Sequence, residues 1–264
     1  AQDAIAPAVK ALADAAPEVR LAAVQMLGAL DSGENAKALV ELIRKVENDE
    51  IREAAGAALD AICARSGEVA GGAVIAGLEG AEPAAKVALV KLMPAIGNDK
   101  ALAAARQLVG DASSDVQDEA VRSLEKWPTD AALDTLHGLA KSSKNEVHQV
   151  LGLRGYVRLV SQSSADAEQK MTRLVEAFAL ATKPEYQKLA MGAIINLGTK
   201  AALKFLAEKK NEKALAQEAS AGIVRVCEKL IKTDKAAATE ALEDIQKSTK
   251  DKNLKAAIDK ILKA

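Results

Sequence analysis

Apolar residues along this chain recur at helical spacing inside a unit that is itself repeated. The clearest copy runs from Pro17 to Leu30, PEVRLAAVQMLGAL: Val19, Ala23 and Leu27 fall at i, i+4 and i+8 with Met26 and Leu30 beside them, and Arg20 and Gln25 lie off the stripe. One helix cannot bury such a stripe alone, so a packed neighbour is required. Taking the apolar residue that opens each helix of this kind as its anchor gives Val19, Ile51, Ala85, Val116, Val147, Tyr186, Leu215 and Leu254. Four residues after the anchor stand Ala23, Ala55, Leu89, Ala120, Ala190, Ala219 and Ile258; eight after it stand Leu27, Leu59, Met93, Leu124, Ile194, Ile223 and Leu262. The first offset, mostly alanine, admits a close neighbour, and the larger residue at the second fills the space between layers.

A turn precedes each anchor, often with Pro or an acid, as in Ala16-Pro17-Glu18, Asn48-Asp49-Glu50, Glu82-Pro83, Ser113-Ser114-Asp115 and Lys183-Pro184-Glu185. Pro is tolerated in the first helical turn, and acids there complement the helix N-terminus. Between the anchored helices lie partner segments near 3–13, 35–46, 68–78, 100–109, 130–140, 165–180, 199–209 and 235–246, each with its own stripe. Two helices per period of about 30–40 residues predict an all-α chain, an α-solenoid in which each pair touches mainly its neighbours. Residues 1–264 are expected to form one such solenoid, a right-handed superhelix of about eight pairs with repeats near 1–32, 33–66, 67–98, 99–129, 130–163, 164–198, 199–232 and 233–264. The closing segment, with Lys252, Lys255, Asp259, Lys260 and Lys263 on its outer face, is expected to be a polar capping unit.

The openings P-E-V-R-L-A-A at Pro17 and N-D-E-I-R-E-A-A at Asn48 resemble HEAT-type repeats of the short bacterial kind, and the resemblance extends over essentially the whole chain. It implies an acid before each second helix and a basic residue just after the anchor, bonding between layers. Arg20, Arg52 and Lys86 fit that basic position, whereas Gln117, His148, Gln187 and Gln217 depart from it. From Leu124 through L-x-x-W-P at Trp127 to LGLRGYVRLV, within residues 112–232, the chain is similar to HEAT-like segments of exported bacterial proteins, some of which sit beside a sugar-hydrolase-type domain. That similarity implies an extracytoplasmic home and a carbohydrate connection, and it transfers no active site. The start Ala1-Gln2-Asp3, without methionine, is in keeping with a mature exported protein, so the expected setting is periplasmic or secreted, with cytoplasmic as the alternative.

The fifth repeat breaks the pattern. Its second helix reads EVHQVLGLRGYVRLV from Glu146 to Val160, and the second offset from Val147 falls on Gly155. Starting the stripe at Gln149 or Val150 instead gives Leu153, Val157 and Val160, and sets Arg154 and Arg158, four apart, in one cationic line beside it. Gly152 and Gly155 each lower helix stability by about 0.5–1 kcal/mol relative to alanine, which points to close approach by a neighbouring helix or by a ligand. Arg154 and Arg158 suit either ties to carboxylates of the next repeat or an anionic, carboxylate-bearing ligand, with Tyr156 and His148 as further donors. Trp127, the single tryptophan, stands in its repeat where others place Leu30, Ile62, Ile96, Leu197 and Val226, counted from their anchors. It is read first as core filling and second as a sugar-stacking platform.

Composition narrows the chemistry. With 49% hydrophobic but only 2% aromatic residues, the interior has to be built from Ala, Leu, Val and Ile, which favours closely packed helices. A net charge of −1 and the scattered Trp127, Tyr156, Phe178, Tyr186 and Phe205 lack the cationic, aromatic-lined face that HEAT-like DNA glycosylases need, so nucleic acid is not an expected partner. From Lys183 onward 17 Lys and Arg stand against 11 Asp and Glu, well mixed, which reads first as a solvated face and second as a docking patch. Cys63 and Cys227 stand at equal distances from their anchors, Ile51 and Leu215, and are expected to be buried, inert thiols rather than a disulfide or metal pair. His137 and His148 are the only histidines, and no Gly-x-Ser-x-Gly turn, Cys and His cluster or phosphate loop accompanies them. No catalytic residue, metal or cofactor is therefore assigned, and no run has the length of a transmembrane helix. The expected function is a non-catalytic scaffold whose second helices bind a protein or peptide partner, with Trp127, His148, Arg154, Tyr156 and Arg158 as contact residues. The alternative is a carbohydrate-binding accessory region of a cell-envelope sugar-processing protein, centred on Trp127 and Tyr156.

Overall fold

The computed structural model describes residues 4–30 and 34–263, the side chains of Glu34 and Ser66 excepted; Ala1-Gln2-Asp3, the first repeat boundary at 32/33 and Ala264 lie outside the described residues. Among the described residues the chain is helix and turn without a strand, as the repeat pattern predicts. It divides into two compact units, Ala1–Leu136 and His137–Ala264.

In the first unit α1 (Ile5–Ala11) packs on α2 (Pro17–Ala29), and α3 (Glu34–Lys45) on α4 (Asp49–Ala76). Then come α5 (Pro83–Val90), the single turn α6 (Met93–Ile96) and the pair α7 (Asp99–Leu108) and α8 (Ser114–Glu125). A 3₁₀ turn (Asp130–Ala132) leads into α9 (Leu133–Ser142), within which the division falls. Pro17 and Pro83 open α2 and α5, where a missing N–H costs nothing, and the Asn48 side chain accepts the Ile51 N–H at 3.0 Å to open α4.

Two elements differ from the sequence expectation. A separate helix is predicted over residues 68–78, but this stretch continues the helix begun at Asp49. No proline interrupts it, and each of its glycines lowers helix stability by only about 1 kcal/mol, a loss offset by burial of Ile62, Ala70 and Val74. Gly71 has a packing role here, since a Cβ on it would lie 2.7 Å from Ile96 Cγ2. Conversely, the predicted run from Ala85 to Met93 is split. Pro94 has no N–H for the Val90 carbonyl and its ring crowds that oxygen. The buried Ser123 hydroxyl of α8 donates to it instead, at 2.9 Å.

The second unit continues from α9 with α10 (Glu146–Gln162), α11 (Ala167–Leu180), α12 (Pro184–Leu197), α13 (Lys200–Lys209), α14 (Ala216–Leu230), α15 (Lys235–Ser248) and α16 (Lys252–Leu262). Here α11 pairs with α12, α13 with α14 and α15 with α16, while the second helices stack in series, α10 on α12, α12 on α14 and α14 on α16.

The offsets locate the core. Ala23, Ala55, Leu89, Ala120, Ala190, Ala219 and Ile258 are all buried, as are Leu27, Leu59, Met93, Leu124, Ile194 and Ile223, with Leu262 half-buried. Several anchors are shallower, although Ile51, Ala85 and Val116, at the same place in the first turn, are buried. Val19 is 39% exposed, beside the short helix α1, and Tyr186 and Leu254 are half-buried. Along α16, Lys252, Lys255, Asp259 and Lys260 are exposed, as is Lys263 just beyond it, while Ile258 is buried.

Candidate functional site

The five residues expected to meet a partner fall in both units. Trp127 belongs to the first unit, whereas His148, Arg154, Tyr156 and Arg158 lie on α10 in the second. Trp127 is 0% exposed and fills the core, as its alignment with Ile62 and Val226 in other repeats predicts. Tyr156 is buried too, its ring 5.3 Å from that of His137 on α9, whose Nε2 lies 2.8 Å from Glu176 Oε1 on α11. The platform expected at Trp127 and Tyr156 is therefore corrected to packing: stacking a sugar needs an open ring face, and protein covers both rings.

His148 is corrected as well. The repeat pattern places it just after an anchor at Val147, but His148 is buried and Val147 is 54% exposed, so His148 itself occupies the anchor position. Two bonds repeat that register. Asn145 Oδ1 accepts the N–H of His148, three residues on, as Asn48 Oδ1 accepts that of Ile51. Gln149 donates to the Ser143 carbonyl six residues back, as Gln117 does to Asp111 and Arg52 to Val46. The offsets then fall on Gly152 and Tyr156, both buried, and the predicted face of Leu153, Val157 and Val160 is buried beside them. Gly152 and Gly155 are covered by protein. Arg154 is exposed; Arg158 is half-buried and donates to Gln162 Oε1 at 3.0 Å, one turn on.

Among the described residues, Lys86 makes the interlayer bond expected of the basic positions. Its ammonium lies 2.7 Å from Asp111 in the turn before α8, and this bond, with the Ser113 N–H, holds the Asp111 carboxyl below the ordinary aspartate value. Arg52 turns back within its own repeat, to Asp49 and the Val46 carbonyl. In the second unit several lysines are engaged with acids: Lys183 with Glu146, Lys200 with Asp234 and Lys210 with Asp244. Lys209 lies 2.7 Å from Glu212 and caps the edge-to-face pair of Phe178 and Phe205. Cys63 and Cys227 are buried and unbonded, and burial pushes both thiols up to about 11, with Asp60 adding to the effect at Cys63. No described helix is long and apolar enough to cross a membrane.

Sequence reading misses an open trough of about 890 Å³ in the first unit. Its wall on α4 is the face opposite the buried stripe: Asp49, Arg52, Glu53, Gly56, Ala57 and Asp60 follow at helical spacing while Ile51, Ala55, Leu59 and Ile62 point inward. Ala84, Val87 and Ala88 of α5 make the rest of an apolar, small-residue floor, with Lys91 on the rim and Asp115 at the start of α8. Arg52 is committed to Asp49 and the Val46 carbonyl, whereas Glu53, Asp60 and Asp115 make no ion pair or hydrogen bond with a described residue. The signal was present in the spacing of acids and small residues along the polar face of one helix. What gives it meaning is the arrival of α5 and α8 alongside, which no local pattern encodes.

Residues 1–60 and 73–152 match the family of HEAT repeats. The chain belongs to the HEAT repeat family. Its fold class is an α-solenoid of HEAT repeats, and the family match passes over residues 61–72, part of the stretch where α4 runs through a repeat boundary. Kap121p bound to Nup53p superposes on this HEAT repeat chain with a TM-score of 0.58 and 13% identity, covering 98% of this chain and 33% of that one. The karyopherin Kap121p bound to the extreme C-terminus of the protein phosphatase Cdc14p does so with a TM-score of 0.57 and 15% identity, at the same coverage. An engineered protein aligns over 98% of this chain and 99% of its own at 16% identity and a TM-score of 0.41. At these identities the likeness is one of fold, and the chain spans about a third of the karyopherin's length. No curated protein matches the sequence.

Proposed function

We propose that this HEAT repeat chain is a non-catalytic scaffold that holds a protein or peptide partner in the trough formed by α4, α5 and the start of α8. The observation that carries this is the trough itself, about 890 Å³ of open space with an apolar floor and a charged rim. Such a surface suits a protein segment, since burial of apolar groups supplies affinity and rim charges set orientation. The floor stands on helices whose opposite faces are locked in the core by Ile51, Leu59 and Leu89, so it is formed before any partner arrives. The karyopherin that shares this fold is itself seen bound to Nup53p and to the C-terminus of Cdc14p, which accords with the proposal without carrying it. The periplasmic or secreted setting implied by the resemblance of residues 112–232 is retained as part of the proposal.

Peptides selected by display against the whole chain are expected to protect the amides of Gly56, Ala57, Ala84 and Ala88 from hydrogen exchange. They are expected to lose binding to an Ala88→Trp chain whose far-ultraviolet circular dichroism is unchanged. Selected peptides that protect other surfaces and ignore Ala88→Trp would overturn the assignment.

A further inference from the structure

We propose that the trough is shaped for a cationic segment of a protein partner, one that lays lysine or arginine side chains along α4 and α5. This assignment rests on the trough being the docking surface. Its rim charge is one-sided once its internal pair is set aside: Arg52 and Asp49 neutralise each other, leaving Glu53, Asp60 and Asp115 around Lys91. Those three carboxylates have no partner among the described residues, whereas three acids at other layer junctions do: Asp111 with Lys86, Asp234 with Lys200 and Asp244 with Lys210. The difference marks charge that the fold does not consume.

The floor supplies the second half of the match. A lysine or arginine side chain has an apolar stem and a charged head. Ala57, Ala84 and Ala88 offer the stem a flat apolar bed, and the rim carboxylates offer the head a counter-charge. Asp49 and Asp60 stand three helical turns apart on one helix, about 16 Å, so an extended segment of about five residues spans the wall. An acidic segment or a nucleic acid strand would meet unpaired carboxylates and be repelled. The rim carboxylates are exposed, so their attraction is screened by salt and acts on selectivity and encounter more than on depth of binding.

The test uses the whole chain and two fluorescein-labelled nine-residue probes, one alternating lysine with alanine and one alternating glutamate with alanine. Binding is read by anisotropy at low and moderate sodium chloride. The lysine probe is expected to bind at least tenfold more tightly than the glutamate probe and to weaken as salt rises. A Glu53→Gln, Asp60→Asn, Asp115→Asn variant is expected to weaken it at least tenfold. Neutralising three exposed acids of the other unit, Glu168→Gln, Glu208→Gln and Glu243→Gln, is expected to leave it within twofold. Equal binding of the two probes, or equal losses in the two triple variants, would overturn the cationic assignment. If Ala88→Trp abolishes binding of display-selected peptides while the trough triple variant leaves it intact, the docking surface stands and its preference for cations falls. If Ala88→Trp changes neither those peptides nor the lysine probe, the docking surface falls with it.

Discussion

A single hydroxyl completes the place where the helix begun at Pro83 is interrupted. Pro94 strips the Val90 carbonyl of its helical donor, and Ser123, from a different layer, restores the bond at 2.9 Å inside the core. Removing that donor leaves a buried acceptor unsatisfied, which costs about 1–3 kcal/mol. Ser123→Ala is accordingly expected to lower stability by that amount in urea denaturation, and a change near zero would show that another group serves the carbonyl. The apolar spacing carried the expected run from Ala85 straight through to Met93, so this break was not anticipated. Ser123 was not legible either, because its partner lies a full repeat earlier in the chain and only packing brings them together. His148 is a similar case: Val147 is the more apolar residue, yet the bonds from Asn145 and Gln149 set the rotation of α10 and turn the histidine inward.

Among the helices, the fused α4 shows how the same residue type serves opposite purposes. A Cβ on Gly71 would strike Ile96, while one on Gly72, the next residue, meets nothing within 4 Å. Both stand inside a helix, where alanine is favoured over glycine by about 0.5–1 kcal/mol. Gly72→Ala is therefore expected to stabilise the chain by roughly that amount, whereas Gly71→Ala is expected to be destabilising because α6 must shift to admit it. Denaturant midpoints of the two variants, measured side by side, check the contrast; equal gains would mean that α6 yields freely. The sequence shows two adjacent glycines and cannot rank them, since the distinction is made by a helix well downstream.

Across the chain as a whole, stacked repeats make stability local, because each pair leans chiefly on its neighbours. Leu27 is 0% exposed, and its truncation to alanine is expected to cost about 2–5 kcal/mol where the cavity forms. Native-state hydrogen exchange on Leu27→Ala is expected to show lost protection in α2, α3 and the start of α4, with α12, α14 and α16 in the other unit little changed. Uniform loss through both units would instead show one cooperative transition. The period and the two-helix unit were legible from hydrophobic spacing across the whole length. The trough was not, since it is made by three helices from successive layers whose polar faces look alike when read one at a time.

The order of apolar and polar residues was enough to establish that this chain is built from paired helices, where most of their turns fall, and which offsets enter the core, because burial of a periodic stripe depends on local spacing that the residues carry with them. It was also enough to put Trp127 in a core position and to mark both thiols as inert. Packing between layers set the continuity of α4 across a repeat boundary, the rescue of the Val90 carbonyl, and the grouping of Glu53, Asp60 and Asp115 over an alanine floor. Each of those depends on which residues meet across layers, and a contact between distant positions leaves no periodic trace in either.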